Sequence, residues 1–297
     1  MSDSLVQLGI QILRITFPVI IVVGIVGNAF NLLVLTRRTL YRHACSRYFL
    51  ALAINNLLYS SFISGYRLLA SGYQLNLSNL SLIACKLTTY ISTLVAFLSP
   101  YLIVCASLDR YCASSASPAI RRFSSVRTAK RLIFAVLAFF SLLFINIIVI
   151  VDLKGETTMK CLLQANSTYS QVYIVIQVFL FAIVPPSLMI IVGLMTIHNS
   201  SRPRVAPIAA SRFYRTERQL ARMLFVQVGT HIILTLPASV TYLISVLPNT
   251  VKTTILFSFI STIGQIFFNC AYTTAFFLYL LSGRIYRREL IRLTVKR

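Results

Sequence analysis

Few residues in this chain could carry chemistry. It holds six acids and three histidines among 297 residues, with six cysteines. Asp109-Arg110-Tyr111 closes a long apolar run, and Glu217 precedes Pro237 by 20 residues at the start of another. Charge in such segments is expensive and points to function by default. Asp109 can partly neutralise Arg110. A bridge from Arg110 to Glu217 would tie two apolar segments together at one end. Breaking it would let the second swing about the bend at Pro237, a two-state element. The alternative is an arginine snorkelling to the interface. Catalysis has little to draw on: there is no H-E-x-x-H, no G-x-S-x-G and no carboxylate dyad. No Cys/His pair has ligand spacing, so neither a metal nor a cofactor is expected.

The elements that position these residues follow from composition. Apolar residues make up 57% and charged residues 11%, with a mean hydropathy of +0.80. A soluble domain carries about 25% charged residues, so this chain could not cover a water-facing surface. Seven runs reach the roughly 20 residues a helix needs to cross hydrocarbon: 12–36, 48–69, 82–112, 129–151, 172–198, 220–247 and 253–281. They must be helical, because unpaired backbone is too costly in lipid. The expected fold is an all-α membrane protein, a single seven-transmembrane helix bundle over 1–297. A surface helix over 283–294 follows, with Tyr286, Leu290 and Leu293 apolar and arginines between them, suited to an anionic leaflet. The net charge of +22 would suggest nucleic acid in a soluble protein. Here the basic residues lie between apolar runs and read as topology signals.

Those signals set the orientation. Arg37, Arg38, Arg42 and Arg47 follow run one. Further clusters follow runs three, five and seven, including Arg121, Arg122, Arg218, Arg222, Arg287 and Arg288. The other side has only Arg14, Arg67, Lys86, Lys154, Lys160 and Lys252. The bias places the first set in the cytoplasm, with the N-terminus outside and the C-terminus inside a plasma membrane. Three glycosylation triplets, at Asn76, Asn79 and Asn166, fall in outside loops and agree.

With seven helices, Asp109-Arg110-Tyr111, Cys85 placed 25 residues earlier and Cys161 in the second outside loop, the chain resembles a rhodopsin-like (class A) G-protein-coupled receptor. Gly27-Asn28, Leu52-Ala53-Ile54-Asn55-Asn56, Pro185-Pro186, Pro237 and Tyr279 resemble further motifs of that family. The run Phe276–Leu290 looks closest to invertebrate neuropeptide (FMRFamide-like) receptors. The resemblance implies a Cys85–Cys161 disulfide, consistent with an oxidising outer side. It also implies a coupling switch made of Asp109, Arg110, Tyr111, Glu217 and Tyr279. Departures stand beside it. There is no Trp at all, Leu234-Thr235-Leu236-Pro237 replaces Cys-Trp-x-Pro, and Ala275-Phe276-Phe277-Leu278-Tyr279 replaces Asn-Pro-x-x-Tyr. Asn56 stands where the family's sodium site has an acid, so no tight sodium site is expected.

In such a receptor the outer halves of the helices form the ligand cavity. Candidates are Arg67, Ser92, Thr93, Gln177, Tyr242, Gln265 and Asn269, with Tyr66 and Tyr90 nearby. Ser92 occupies the position where amine receptors carry an acid, and Asn269 that of the retinal lysine. Arg67 could grip a carboxylate or a peptide carbonyl, or could snorkel to a headgroup. The expected function is a receptor that binds an extracellular ligand, a peptide before an amine, and activates a heterotrimeric G protein. The alternatives are a transporter, or a receptor fold that has lost G-protein activation.

Overall fold

The computed structural model describes residues 2–154, 160–163, 168–200, 211–246 and 254–295. Helix α1 spans Ser2–Leu35. Helix α2 starts as Ala44–Leu58 and continues through a π turn at Tyr59–Ile63, a turn at Ser64–Arg67 and a second π turn at Leu68–Gly72. Helix α3 is Leu82–Ser114. Helix α4, Val126–Leu143, tightens at Phe144–Asn146 and ends with Ile147–Ile150. Strands β1 (Val151–Lys154) and β2 (Lys160–Leu163) form an antiparallel hairpin. Helix α5 runs as Thr168–Val178, a π turn at Phe179–Ile183 and Val184–Ser200. Helix α6 is Ser211–Val246, α7 is Ile255–Cys270 plus Ala275–Ser282, and α8 is Arg284–Val295.

Among the described residues, five helices are long and apolar enough to cross a membrane. The two parts of α7, bent by 51°, make a sixth. The remaining expected crossing, 48–69, falls on α2, which the π turns divide. Helix α1 begins ten residues before the apolar run expected at Ile12. Hydropathy marks the lipid-crossing part of a helix and not its end. Ile15, Phe134, Ile233 and Leu281 stand exposed around the bundle, a distribution suited to hydrocarbon as the surrounding solvent.

Side-chain caps start three helices. The Ser81 hydroxyl accepts from the Ala84 N–H at 3.1 Å, Ser125 from Thr128 at 3.1 Å and Thr254 from Phe257 at 3.2 Å; each satisfies one otherwise orphaned amide. With no Trp available, phenylalanines fill the space between α3, α4 and α5. Phe97 packs on Phe144 with ring centroids 4.7 Å apart and on Phe181 at 5.0 Å, and Tyr101 packs on Phe140 at 4.4 Å.

The α7 break forms without proline. Between Ala271 and Thr274 the helix turns tightly, with Tyr272 N–H bonded to Asn269 O and Thr273 N–H to Cys270 O. Such a break frees carbonyls that lipid cannot satisfy. Asn28 of α1 donates to one of them, Tyr272 O, at 3.0 Å. Gly24, one turn earlier in α1, permits this approach. A Cβ there would lie 2.7 Å from Ser60 Cβ and 2.9 Å from Thr273 Cγ2.

Candidate functional site

At one end of the bundle, Asp109 and Arg110 sit on the last turns of α3 with side chains only 3% exposed. Arg110 donates to Asp109 Oδ2 through both Nε and Nη2. The second carboxylate oxygen, Oδ1, accepts from the Ser124 hydroxyl at 2.8 Å. That serine lies in the loop between α3 and α4. Arg110 therefore faces the bundle interior and not lipid. Beside it lies a small apolar space lined by Ser107, Met189, Gly193, Thr196, Leu224 and Val228, between α3, α5 and α6. The Glu217 side chain lies outside the described residues; its backbone sits in the first turns of α6. Tyr111 is half-buried. Tyr279 is buried 4.9 Å from the Phe49 ring and 5.9 Å from the Tyr286 ring.

The opposite end carries the disulfide. Cys85, at the start of α3, is bonded to Cys161 of β2 with Cα atoms 5.5 Å apart. Asn79 reinforces the link, its side-chain oxygen accepting from Cys161 N–H at 3.0 Å. Asn76 is exposed, and its oxygen accepts from Tyr66 at 2.8 Å and Ser78 at 2.7 Å. Asn166 lies outside the described residues.

Below the hairpin, three of the cavity candidates come together. Arg67 of α2 donates to Gln265 Oε1 of α7, and its guanidinium lies 5.9 Å from the Phe268 ring centroid. Asn269, one turn below Gln265, donates to the Gln265 carbonyl at 2.6 Å and accepts from Ser64 at 3.2 Å. Ser64 belongs to the site although the sequence reading passed over it. Its position three residues before Arg67 on one helix puts both on the same face, and that spacing was the available signal. Under the cluster, Tyr59 and Tyr272 stack with centroids 3.7 Å apart.

The other candidates go elsewhere. Thr93 donates to Thr89 O of its own helix. Gln177 donates to Tyr173 at 3.1 Å. Ser92 is a buried hydroxyl with no protein partner, and Tyr242 is 38% exposed. Tyr90 reaches across to the Ser141 carbonyl of α4 at 3.0 Å.

A disulfide-anchored hairpin at one end of a helix bundle and a buried Asp-Arg pair at the other agree with what the sequence comparison finds. The model of the family described as 7 transmembrane receptor (rhodopsin family) matches residues 27–277. The chain belongs to this family. No curated protein matches it closely enough to count as a relative. The protein is thus a multi-pass plasma-membrane signalling receptor and not an enzyme.

Two further features of this receptor rest on buried polar contacts. The interior position where the family resemblance puts a sodium site is built from neutral groups that hydrogen-bond to one another. Asn55 donates to Val95 O and Ser99 Oγ, both at 2.8 Å, and Ser99 donates to Asn56 Oδ1 at 2.7 Å. A cation needs unprotonated oxygens and gains most from a carboxylate. Here an amide N–H points into the cluster and no carboxylate stands in it, so the donor set does not fit a tightly held sodium. The second feature is at α8. Glu289, 3% exposed, lies between Arg292 at 2.9 Å and Arg37 at 3.8 Å, the latter from the segment following α1. Tyr286 donates to buried Asn31 of α1 at 2.7 Å, and burial raises the Tyr286 phenol above its usual range. Helix α8 is fastened to α1 by these contacts as well as by its apolar face.

Proposed function

We propose that this receptor binds an extracellular peptide at the Arg67–Gln265–Asn269 cluster and activates a heterotrimeric G protein at the Asp109–Arg110 end. The observation that carries the ligand reading is Arg67. It is a cation within the span of the bundle whose partners are a neutral amide and an aromatic face. Among the described residues no carboxylate pairs with it. Such a guanidinium has donors to offer a carboxylate or a chain of peptide carbonyls, and it repels an ammonium ligand. Ser92, lacking charge, gives an amine nothing to pair with. Ser92, Thr93, Gln177 and Tyr242 complete the proposed lining. The basic loops at the Arg110 end support a cytoplasmic location for it, with the N-terminus outside. Asn76, Asn79 and Asn166 are then outside and available for glycosylation. Resemblance of the Phe276–Leu290 run makes amidated neuropeptides of the FMRFamide type the first ligands to try.

The test is a panel of amidated and free-acid neuropeptides applied to membranes holding the receptor and a G protein, with nucleotide exchange as readout. A peptide agonist whose half-maximal concentration rises about tenfold or more in Arg67→Gln supports the reading, as loss of one charge-assisted contact predicts. Activation by a monoamine, or equal peptide potency in Arg67→Gln, refutes it.

A further inference from the structure

Helix α3 runs unbroken through a proline, Pro100. Proline has no N–H, so the carbonyl four residues earlier, Ala96 O, loses its partner in the helix ladder. In hydrocarbon no water stands in for it. The Tyr272 hydroxyl of α7 does, donating to Ala96 O at 3.0 Å. The carbonyl before it, Val95 O, accepts from the Asn55 side chain of α2 at 2.8 Å. Two neighbouring helices thus hold α3 by its backbone on the Cys85 side of the proline.

Tyr272 is itself held from several directions. It lies in the α7 break, its N–H bonded to Asn269 O at 3.2 Å and its carbonyl to Asn28 of α1. Its ring, 1% exposed, stacks on Tyr59 and lies 5.4 Å from Phe268, the ring that faces the Arg67 guanidinium. Helix α6 contributes the aliphatic Leu234 and Ala238 to this block, while Thr235 turns its hydroxyl to His231 O of its own helix at 2.8 Å. The rings between the Arg67 cluster and α3 therefore come from α2 and α7.

We infer that Tyr272 is a positioning residue that couples the Arg67–Gln265–Asn269 cluster to Arg110. Its hydroxyl takes the place of the N–H that Pro100 lacks, so the break of α7 and the backbone of α3 move together. A shift of Asn269 passes through its carbonyl to the Tyr272 N–H and through the phenol to Ala96 O. Arg110 lies 14 positions further along that same helix, beyond the point where Pro100 lets it bend. The inference rests on the ligand and G-protein ends proposed above.

The experiment compares four full-length receptors in lipid nanodiscs: unmodified, Tyr272→Phe, Pro100→Ala and the double variant. Tyr272→Phe keeps a ring to stack on Tyr59 and removes the donor. Pro100→Ala returns an N–H to Ala96 O. Tyr272→Phe should lower the melting temperature by about 2–4 °C, because it strands a carbonyl. In the Pro100→Ala background it should lower it no further, a non-additivity that marks a shared partner. With the neuropeptide panel, Tyr272→Phe should leave half-maximal peptide binding, measured without G protein, unchanged. Maximal peptide-driven nucleotide exchange should fall about threefold or more. A residue that only filled space would not separate the two. Equal melting losses in both backgrounds would show that the hydroxyl does not replace the missing N–H, and would overturn the inference. Loss of binding together with exchange, or unchanged exchange, overturns the coupling role. Failure of every peptide to drive exchange in the unmodified receptor would instead count against the proposed function, while the melting cycle still decides the Tyr272–Ala96 link.

Discussion

Replacing Asp109 by Asn keeps the shape of the side chain and removes its charge. Both members of the Asp109–Arg110 pair, taken as the resting form of the proposed switch, are 3% exposed, so little water is available to take over from the carboxylate. Disrupting one member of a buried pair destabilises the state that holds it by about 3–5 kcal/mol. Asn keeps one oxygen acceptor for Arg110, and its Nδ2 can donate to the Ser124 hydroxyl in place of the second carboxylate oxygen, so the lower figure applies, about 3 kcal/mol. At about 1.4 kcal/mol per factor of ten, the ratio of active to resting receptor rises roughly 100-fold. A receptor active about 1% of the time without ligand becomes active about half the time. The assay is ligand-independent nucleotide exchange in membranes matched for surface receptor. Basal exchange equal to that of the unmodified protein, in an Asp109→Asn receptor that still responds to ligand, would refute the reasoning, because burial of the pair would then be the same in both states.

Other substitutions test neighbouring parts of the argument. Glu217→Ala should also raise basal exchange if α3 and α6 are tied at this end; unchanged basal activity in an otherwise responsive receptor counts against that tie. Cys161→Ser opens a loop closed across 76 residues of sequence, worth about 4.5 kcal/mol in the chain-entropy treatment; surface expression or peptide affinity should fall, and normal values of both would show that Asn79 holds the hairpin unaided. Gly264→Val should lower thermal stability, since a Cβ at Gly264 already comes within 3.3 Å of the α6 backbone at Pro237 and Ala238 and overpacking typically costs about 1–3 kcal/mol. An unaltered melting temperature in detergent would mean that α6 can yield there.

Much of the architecture was legible in the sequence, because a bilayer makes apolar run length decisive. The Arg110 pairing was half legible. Asp109 is adjacent, and although neighbouring helix side chains point apart, a long arginine can fold back onto the carboxylate beside it, whereas Ser124 arrives from a loop whose path no local pattern encodes. The same holds for Glu289. The basic character of the 283–294 segment was plain, but its clamp on Arg37 joins residues from opposite ends of the chain. The π turns of α2 and α5 were not legible. The one in α5 precedes Pro185-Pro186, whose missing N–H groups disturb the ladder, and Tyr101 takes the Leu180 carbonyl at 2.8 Å. Those in α2 have no proline to announce them. The bend in α7 was hidden for a similar reason. Without the Asn-Pro pair the sequence reads as one continuous span to Leu281, and the break rests on Asn28 reaching across from α1. Of the cavity candidates, Arg67, Gln265 and Asn269 meet one another, a grouping that polarity alone does not single out. Thr93 satisfies its hydroxyl on the Thr89 carbonyl of its own helix, a contact open to any threonine in a helix and so no guide to which face it lines.

The amide and hydroxyl cluster of Asn55, Asn56 and Ser99 has a consequence for how the receptor experiences its surroundings. A cation held in one arrangement and expelled in the other makes the balance between the two a function of ion activity, through mass action. With neutral donors and acceptors closing on one another, no such linkage term arises at this place. Raising external sodium should then alter peptide potency only as far as screening weakens the attraction between peptide and loop charges, and potassium or choline at equal ionic strength should do the same.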